Sequence, residues 1–394
     1  MMKTDTPDKK TPKKATWRTY LLVLLLDLLA LAANQLAIHS STFANAYSHY
    51  VYRVLSLGIG SVMGLLPFSV VELLLYATIL FVLFDFVKQL RRAVRAAVAR
   101  PLRHFLGHLF LILSTLLVLY VFLCGINYHR TSFSEEAGLS VTIDAHGTVY
   151  DEADLIALCD YLVTEINDTE AQLDVPCIGQ TSETPKPSAA WLWHAGRTGQ
   201  RAMEKLGQRY HRLSGHYPYP KPILNTWILS VQQTTGVYSP FTVEANYNRD
   251  IAYYDIPFTI CHELSHLRGY MQEEEANFIG VLATIGADDL YFNYSGYVSA
   301  WVYAGNALAR IDSTAFATLY ARINTRTRQD MLYNNAYWKQ FEGKPAEAHE
   351  QLNDAYLKMQ GQATGVRSYG HVTDLMLEYF AKNGTLTQSQ GLKN

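Results

Sequence analysis

The chain has 394 residues, a length that allows two or more domains, and its formal net charge is −2 at pH 7. This near-neutral balance excludes the large surplus of Lys and Arg that is typical of nucleic-acid-binding proteins, so no nucleic-acid partner is expected. Hydrophobic residues make up 49% of the chain. Their long runs are confined to the N-terminal part, which indicates a membrane domain followed by an ordinary folded domain.

Three apolar runs follow a basic tail at residues 1–18. They cover residues 20–38, 68–87 and 105–126. Each run has about 20 residues, and at about 1.5 Å per helical residue it spans a hydrocarbon core of about 30 Å. We therefore predict a multi-pass membrane protein whose membrane domain, residues 19–127, crosses the lipid bilayer three times. The first run is too long for a cleaved signal peptide.

The charges that flank these runs predict their orientation. Lys and Arg are concentrated in the N-terminal tail and between the second and third runs, whereas the loop between the first and second runs carries only Arg53. Because such residues are enriched in cytoplasmic loops, both basic segments belong in the cytoplasm of a bacterial cell. Three crossings then leave everything after about residue 127 outside the cytoplasmic membrane. The apolar segment 51–67 is broken by Gly and Pro, so we predict an outer interfacial or re-entrant segment.

The rest of the chain is predicted to form a stalk and an outer domain. Residues 128–155 are expected to be a loose stalk with one short strand, LSVTI. Residues 156–394 show mostly helical spacing of apolar residues, which favours a mainly α (α+β) domain with a small sheet. The stretch FTVEANYN at residues 241–248 alternates well enough to be a strand of that sheet.

The four cysteines leave one question open. Cys124 ends the third apolar run, and Cys261 is expected to pack as a small apolar residue. Cys159 and Cys177 both belong to the outer domain, where a disulfide is chemically permitted. Their spacing does not decide whether they pair.

The sequence HELSH at residues 262–266 carries the chemistry. On a helix, His262 and His266 lie one turn apart on one face, where two imidazoles can bind one Zn²⁺. Glu263 is rotated by about 100° around the helix, so it cannot join them as a ligand. It can instead take a proton from a water molecule at the open coordination position. The pattern indicates a zinc hydrolase with Glu263 as general base.

A third ligand must come from outside this motif. Some zinc peptidases use H-E-x-x-H-x-x-G-x-x-H, but here Gln272 occupies the last histidine position, and an amide is a poor zinc ligand. The acidic run that follows offers three carboxylates: Glu273, Glu274 and Glu275. We favour Glu273, because Asn277 lies four residues later on the same helical face and can hydrogen-bond a metal-bound imidazole. The other two glutamates stay open as alternatives.

These motifs resemble those of two groups of proteins. HELSH followed by E-x-x-A-N resembles the gluzincin metallopeptidases, in which H-E-x-x-H and a glutamate of the next helix hold zinc. The whole chain resembles a bacterial membrane family described only as a domain of unknown function, with three N-terminal spans, PFT-x-EAN and HEL-x-H…E-x-EANF. The residues that match are Pro240, Phe241, Thr242, Glu244, Ala245, Asn246, His262, Glu263, Leu264, His266, Glu273, Glu275, Ala276, Asn277 and Phe278. The resemblance implies a zincin-like extracytoplasmic domain, a Zn²⁺ cofactor and a peptide or protein substrate.

The resemblance also suggests how substrate is held. In zinc peptidases an edge strand beside the active-site helix commonly binds the substrate backbone as an added strand. We predict that residues 241–247 form this strand, although a purely structural strand is the alternative. The predicted substrate-binding residues are Phe241, Thr242, Val243, Glu244, Ala245 and Asn246. Four downstream side chains have protons suited to stabilise an oxyanion: Tyr270, Tyr297, Tyr369 and His371.

Together these features predict a membrane-anchored zinc metallopeptidase that hydrolyses peptide bonds outside the cytoplasmic membrane. Two alternatives remain, a non-catalytic zinc-binding sensor or scaffold at the cell surface and a hydrolase of cell-wall amides. Glu263 argues against the sensor, because a structural zinc site needs no base and normally closes with four protein ligands. The sequence leaves the substrate, the regulation and the oligomeric state open.

Overall fold

A computed structural model of the chain describes residues 17–139, 151–360 and 371–387. Within these ranges the protein is mostly helical and contains one small sheet. The predicted strand LSVTI falls on residues outside the described ranges, apart from Leu139, and Tyr369 also lies outside them.

The N-terminal part is a group of helices. They are α1 (Trp17–His39), α2 (Ser41–Ala46), α3 (Arg53–Gly64), α4 (Val70–Ala96) and α5 (Arg100–Leu123). Among the described residues, α1, α4 and the stretch Arg100–His129 that contains α5 are long and apolar enough to cross a membrane. The three predicted spans are therefore helices of sufficient length and apolar character to cross a membrane. Both α1 and α4 pack against α5, and many of their leucines are exposed on the protein surface, as a lipid-facing helix requires.

The segment between the first two spans is helical. A π-helical turn, Tyr47–Tyr52, leads directly into α3. A Cβ atom added at Gly60 of α3 would lie 2.6 Å from Pro218 Cγ, so glycine permits close packing on the C-terminal part of the chain. The apolar segment predicted to be interfacial or re-entrant is therefore a helix that packs along this part.

Most of the remaining helices contribute to one large core. They are α6 (Phe133–Glu136), α7 (Glu152–Ala171), α8 (Ala189–Arg209), α9 (Trp227–Ser230), α10 (Asp255–His266), α11 (Glu273–Ile285), α12 (Leu290–Ile311), α13 (Ser313–Arg322), α14 (Thr325–Lys339), α15 (Lys344–Met359) and α16 (His371–Asn383). The centre of this core is α10, which packs against α8, α11 and α12. Ile260 and Leu264 on one face of α10 are fully buried, because their positions four apart give the helix an apolar stripe. This packing holds the opposite face of α10 in a fixed position.

Residues 128–139 are not a loose stalk. Phe133 is fully buried, and its ring meets that of Tyr270 with centroids 5.6 Å apart. Arg130 is buried too and donates a hydrogen bond of 2.8 Å to the backbone carbonyl of Arg268. The prediction of a loose segment is wrong for these residues, because a buried aromatic ring and a buried guanidinium anchor it to the core.

The strands among the described residues form one three-stranded sheet. They are β1 (Lys221–Pro222), β2 (Gly236–Ser239) and β3 (Glu244–Tyr247), in the order β1-β3-β2. Strand β3 pairs in parallel with β1 and antiparallel with β2. The prediction that residues 241–247 form an edge strand is therefore wrong, because both hydrogen-bonding edges of β3 are already occupied. The edge strand beside α10 is β2, which contacts that helix.

Two buried carboxylates join α4 to this sheet. Glu244 of β3 accepts hydrogen bonds of 3.1 and 2.8 Å from the first two backbone N–H groups of α4 and forms a buried ion pair with Lys221. Glu72 of α4 accepts hydrogen bonds of 2.8 and 2.9 Å from the N–H groups of Leu224 and Asn225, just after β1. The start of a candidate membrane span is thus fixed directly to the domain that carries HELSH.

The four cysteines are free thiols in the structure. Cys159 lies on the buried face of α7, and Cys177 lies in the half-buried loop that follows α7. The open question of a disulfide between them is thereby answered for this structure, since neither sulfur is bonded.

Candidate metal centre

The two histidines of HELSH converge on one point. His262 and His266 lie one turn apart on α10, and their Nε2 atoms are 3.2 Å from each other. Their ring centroids are 4.8 Å apart and the rings are perpendicular. Two imidazole nitrogens this close share one site.

The chain then turns and brings a carboxylate to the same point. Gly269 has φ +82°, a left-handed conformation that L side chains rarely adopt, and it lets the chain reverse between α10 and α11. Glu273, the first residue of α11, places Oε2 3.3 Å from His262 Nε2 and Oε1 3.9 Å from His266 Nε2. One ligand atom from each of these three residues lies within 4.8 Å of the others. Three donors therefore converge from two helices.

The other two glutamates of the acidic run do not join this group. Glu275 accepts hydrogen bonds from the backbone N–H and the hydroxyl of Ser134, at 2.9 and 2.8 Å. Glu274 does not line the cleft in which the three donors lie. Of the three candidates, only the Glu273 carboxylate meets the histidines in this structure.

The donors fit a zinc ion. The Nδ1 atom of His266 is 2.6 Å from the Tyr270 carbonyl, so Nδ1 carries the proton and the Nε2 lone pair faces the site. The Nδ1 atom of His262 is buried without a hydrogen-bond partner, and Asn277 lies beside this ring. Two imidazole nitrogens and one carboxylate, with a side open to the cleft, are a donor set that Zn²⁺ accepts.

Burial and mutual charge interactions shift the pKa values of all three residues in the cluster. Burial and the neighbouring His262 together lower the pKa of His266 to about 4. Burial also disfavours the charge on His262, but the Glu273 carboxylate outweighs it and raises the pKa of that imidazole. For Glu273 burial is likewise outweighed, here by the hydrogen bond to His262, and the carboxyl pKa falls. The Glu273 carboxylate thus favours the charged form of His262, whereas His266 is held in its neutral form.

Glu263 lies next to the cluster without being part of it. Its Oε1 is 4.0 Å from His262 Nε2, and only 4% of the residue is exposed. Burial raises the pKa of this carboxyl to about 8, against the opposing effect of His262. Its Oε2 has no hydrogen-bond partner. A buried carboxyl with a free oxygen is an acid or base that can accept a further partner.

The cluster opens into a large cleft of about 1150 Å³. One wall is β2, and a Cβ atom added at its Gly236 would lie 2.5 Å from Glu263 Oε1. Residues of α15 also line the cleft, as do Tyr120 in the last turn of α5 and Cys124 directly after it. Among the described residues that line it, there are several acids but no Lys or Arg. The site is therefore accessible, acidic and adjacent to the end of a candidate membrane span.

Further contacts hold the C-terminal end of α10 in place. The hydroxyl of Tyr52, in the π-helical turn, donates a hydrogen bond of 3.1 Å to the backbone carbonyl of His266. The same hydroxyl is 3.2 Å from that of Tyr238 in β2, whose ring is 6.0 Å from the His266 ring. The N-terminal part of the chain thus helps to position a candidate ligand.

The predicted substrate-binding strand has other contacts. Phe241 lines the cleft, but Glu244 is engaged by Lys221 and the start of α4. The remaining members of the set are buried in or beside β3: Thr242, Val243, Ala245 and Asn246. The sequence pattern missed Gly236 and its neighbours in β2, which line the cleft instead. The alternating side-chain pattern at residues 241–248 predicts a strand in this region. It does not show which strands lie on either side of it in the sheet.

The described oxyanion candidates do not line the cleft. Tyr270 is buried and donates its hydroxyl to Glu136 at 2.6 Å. Tyr297 packs edge-on against another tyrosine ring, with centroids 6.3 Å apart. His371 is the first residue of α16. The structure therefore does not bring these side chains to the metal cluster, while Tyr303 and Tyr356, which the sequence pattern did not single out, do line the cleft.

A family model described as "Protein of unknown function (DUF3810)" matches residues 47–377. The chain belongs to this family. No curated protein shows a significant match to the chain, and no solved structure does. The match to the DUF3810 family runs from the π-helical turn into α16, so it includes the metal cluster, α4 and α5, whereas α1 lies before it.

Proposed function

We propose that this protein is a membrane-anchored, zinc-dependent metallopeptidase of the gluzincin type that cleaves peptide bonds outside the cytoplasmic membrane. The observation that carries the proposal is the convergence of His262, His266 and Glu273 within 4.8 Å, with the buried Glu263 beside them on the wall of an open cleft. A purely structural zinc site would have no use for that carboxylate and would not open into a cleft.

In this proposal His262, His266 and Glu273 would hold the zinc ion. When bound, zinc acts as a Lewis acid that makes water more acidic and polarises a substrate carbonyl. Glu263 takes the proton from the attacking water as it adds to the carbonyl carbon, and then donates that proton to the leaving amine as the C–N bond breaks. The free Oε2 of Glu263 supports this role, because it has no competing partner.

The cleft also suggests how a substrate is bound. Strand β2 pairs with β3 along one edge, and in the described part of the chain no strand pairs with its other edge. An extended peptide can add to such an edge, which moves the proposed backbone contact from β3 to β2. Four lining acids lie outside the ligand set and apart from Glu263: Asp255, Glu342, Glu347 and Glu350. We therefore expect peptides with Lys or Arg near the cleaved bond to react faster than acidic ones.

The helix ends support a location outside the cytoplasmic membrane. The start of α4 contacts the sheet through Glu244, and the carbonyl of Leu123, at the end of α5, accepts a hydrogen bond from Tyr238. The basic residues at the other ends of α4 and α5 belong in the cytoplasm by the charge rule. The domain with the cluster then lies on the opposite side of the bilayer.

The test uses the full-length chain purified in detergent. Zinc content and hydrolysis of peptide and cell-wall substrates are measured for wild type, Glu263→Gln and the matched surface control Glu152→Gln. We expect Glu263→Gln to retain zinc and to lose a factor of roughly 10²–10⁴ in turnover, while the control matches wild type. Equal turnover in all three proteins, or a folded chain that does not bind zinc, would contradict the proposal. Cleavage of wall amides alone would reassign the substrate.

A further inference from the structure

A second pocket lies behind the metal cluster, between the π-helical turn and the residues that follow α10. Its lining includes four arginines and three residues with hydroxyl groups: Arg53, Arg130, Arg212, Arg268, Ser48, Tyr52 and Ser56. These residues come from four distant parts of the sequence. We call this group the arginine pocket.

The arginine pocket has a large excess of positive charge. Glu136 forms ion pairs with Arg130 at 3.0 Å and with Arg212 at 2.6 Å. Among the described residues, no other carboxylate lies within 4.0 Å of the four guanidinium groups. The other polar contacts of Arg53 and Arg268 are to backbone carbonyls and a hydroxyl, which are neutral. Because arginine stays protonated at any physiological pH, four positive charges face one negative charge.

Two of the guanidinium groups are buried and held rigidly. Arg130 is 9% exposed and Arg268 is 6% exposed, and the Nε atom of each has no hydrogen-bond partner. Arg268 lies over the ring of Tyr217 at 3.9 Å, and Arg130 lies over that of Tyr270 at 4.2 Å. Burying like charges without sufficient counter-charge is costly. An anion in the pocket would offset this cost.

The size of the pocket limits the ligand. Its volume of about 20 Å³ is enough for only one or two water-sized groups. The pocket can therefore accept one or two oxygens of a phosphate group, and a peptide or a whole nucleotide does not fit inside it. Guanidinium forks bind phosphate oxygens in pairs with good geometry, so phosphate is the anion that the lining suits best.

The surroundings of the pocket indicate the source of the phosphate. The π-helical turn and α3 pack one face against the C-terminal part of the chain and expose large apolar side chains on the other. The exposed fractions are 71% for Tyr50, 67% for Val54, 60% for Val62 and 82% for Leu65. A helix with such a face, next to spans that end on the same side, lies in the interface of a bilayer. Such a position would bring the pocket near the depth of the lipid headgroups.

We propose that the arginine pocket binds one phosphate group of an anionic membrane lipid. The site is independent of the proposed peptidase activity, although it lies close to the metal cluster. Leu267 and Arg268 directly follow His266, and Tyr52 of the same lining donates to the His266 carbonyl at 3.1 Å. A bound headgroup would therefore brace the end of α10 against the bilayer surface.

The test measures lipid binding by the full-length chain in nanodiscs of phosphatidylcholine with or without phosphatidylglycerol. Lipid retained after extraction is counted by native mass spectrometry, and affinity is measured by lipid titration. Inorganic phosphate is tested separately by thermal shift against chloride at equal ionic strength. The variant Arg53→Gln/Arg212→Gln removes the two more accessible guanidinium groups, Arg53→Lys/Arg212→Lys retains their charge, and Arg310→Gln/Arg328→Gln removes the same charge elsewhere.

Wild type and Arg310→Gln/Arg328→Gln should each retain one phosphatidylglycerol. Loss of charge-assisted hydrogen bonds should weaken binding by roughly tenfold or more in Arg53→Gln/Arg212→Gln, with the lysine variant in between. Thermal unfolding in chloride shows that each variant is folded. Binding of inorganic phosphate without lipid retention would overturn the lipid source. Equal affinity in all variants, or no saturable binding of either probe, would overturn the site itself.

Discussion

Replacement of Gly236 by alanine tests whether Glu263 is the base. An added Cβ would lie 2.5 Å from Glu263 Oε1, 2.8 Å from its Cγ and 2.8 Å from Thr259 Cγ2. Because Cγ is among the close atoms, rotation of the carboxylate alone cannot relieve the contact. Restoring an ordinary separation requires a shift of about 1 Å, and such a misplacement costs roughly 10²-fold in rate. This factor corresponds to about 2.7 kcal/mol of transition-state stabilisation.

The assay compares turnover of one peptide substrate at saturating concentration in wild type, Gly236→Ala and Gly58→Ala. A Cβ at Gly58 meets nothing within 4 Å, so this control should match wild type. Zinc content should stay unchanged in both variants, because neither residue touches the three ligands. The reasoning is refuted if Gly236→Ala retains its zinc, unfolds at the wild-type temperature and turns over within about threefold of wild type.

Three further predictions concern the metal and stability. Loss of a residue that hydrogen-bonds a metal ligand typically weakens metal binding by roughly 10–100-fold. His266→Ala removes a proposed ligand itself and should weaken zinc binding by more than this, whereas Glu275→Gln should retain zinc. Metal analysis after dialysis would measure both. Glu244→Ala leaves Lys221 buried without its partner, so we expect a loss of about 3–5 kcal/mol, measured by denaturant unfolding; an unchanged midpoint would contradict it. Burial raises the pKa of Asp374 from 3.8 to about 6. The folded chain therefore holds a proton that the unfolded chain releases, and the free energy of unfolding falls as the pH rises from about 4 to about 6. Asp374→Asn should remove this part of the pH dependence, and an equal slope in both proteins would argue against it.

Local patterns explain what was predicted correctly. The three candidate spans follow from runs of about 20 apolar residues. As a helix, such a run is long enough to cross a bilayer, and this property does not depend on the rest of the chain. Helix α10 and the shared face of His262 and His266 follow from a spacing of four. Glu273 was favoured because Asn277 follows it by four residues on the same helical face, and the structure places its carboxylate beside the two histidines.

Contacts between distant segments explain what the sequence did not reveal. An apolar alternation indicates a strand at residues 241–248, but the strand order depends on β1 and β2, whose short segments carry no such pattern. The sequence predicted a loose stalk, and the burial of Phe133 arises only when the rings of Tyr210, Tyr270 and Phe278 pack around it. The oxyanion candidates had suitable protons, yet Tyr270 uses its proton on Glu136.

The sequence by itself determined the apolar spans, the orientation expected from their flanking charges, and a helix that carries two imidazoles and an acid, because each depends on neighbours within a few turns. Only the tertiary structure decided that β2 rather than β3 borders the cleft, and that Arg53 meets Arg268 in one pocket. Those arrangements depend on pairing and packing between segments that are far apart along the chain, and no local periodicity records them.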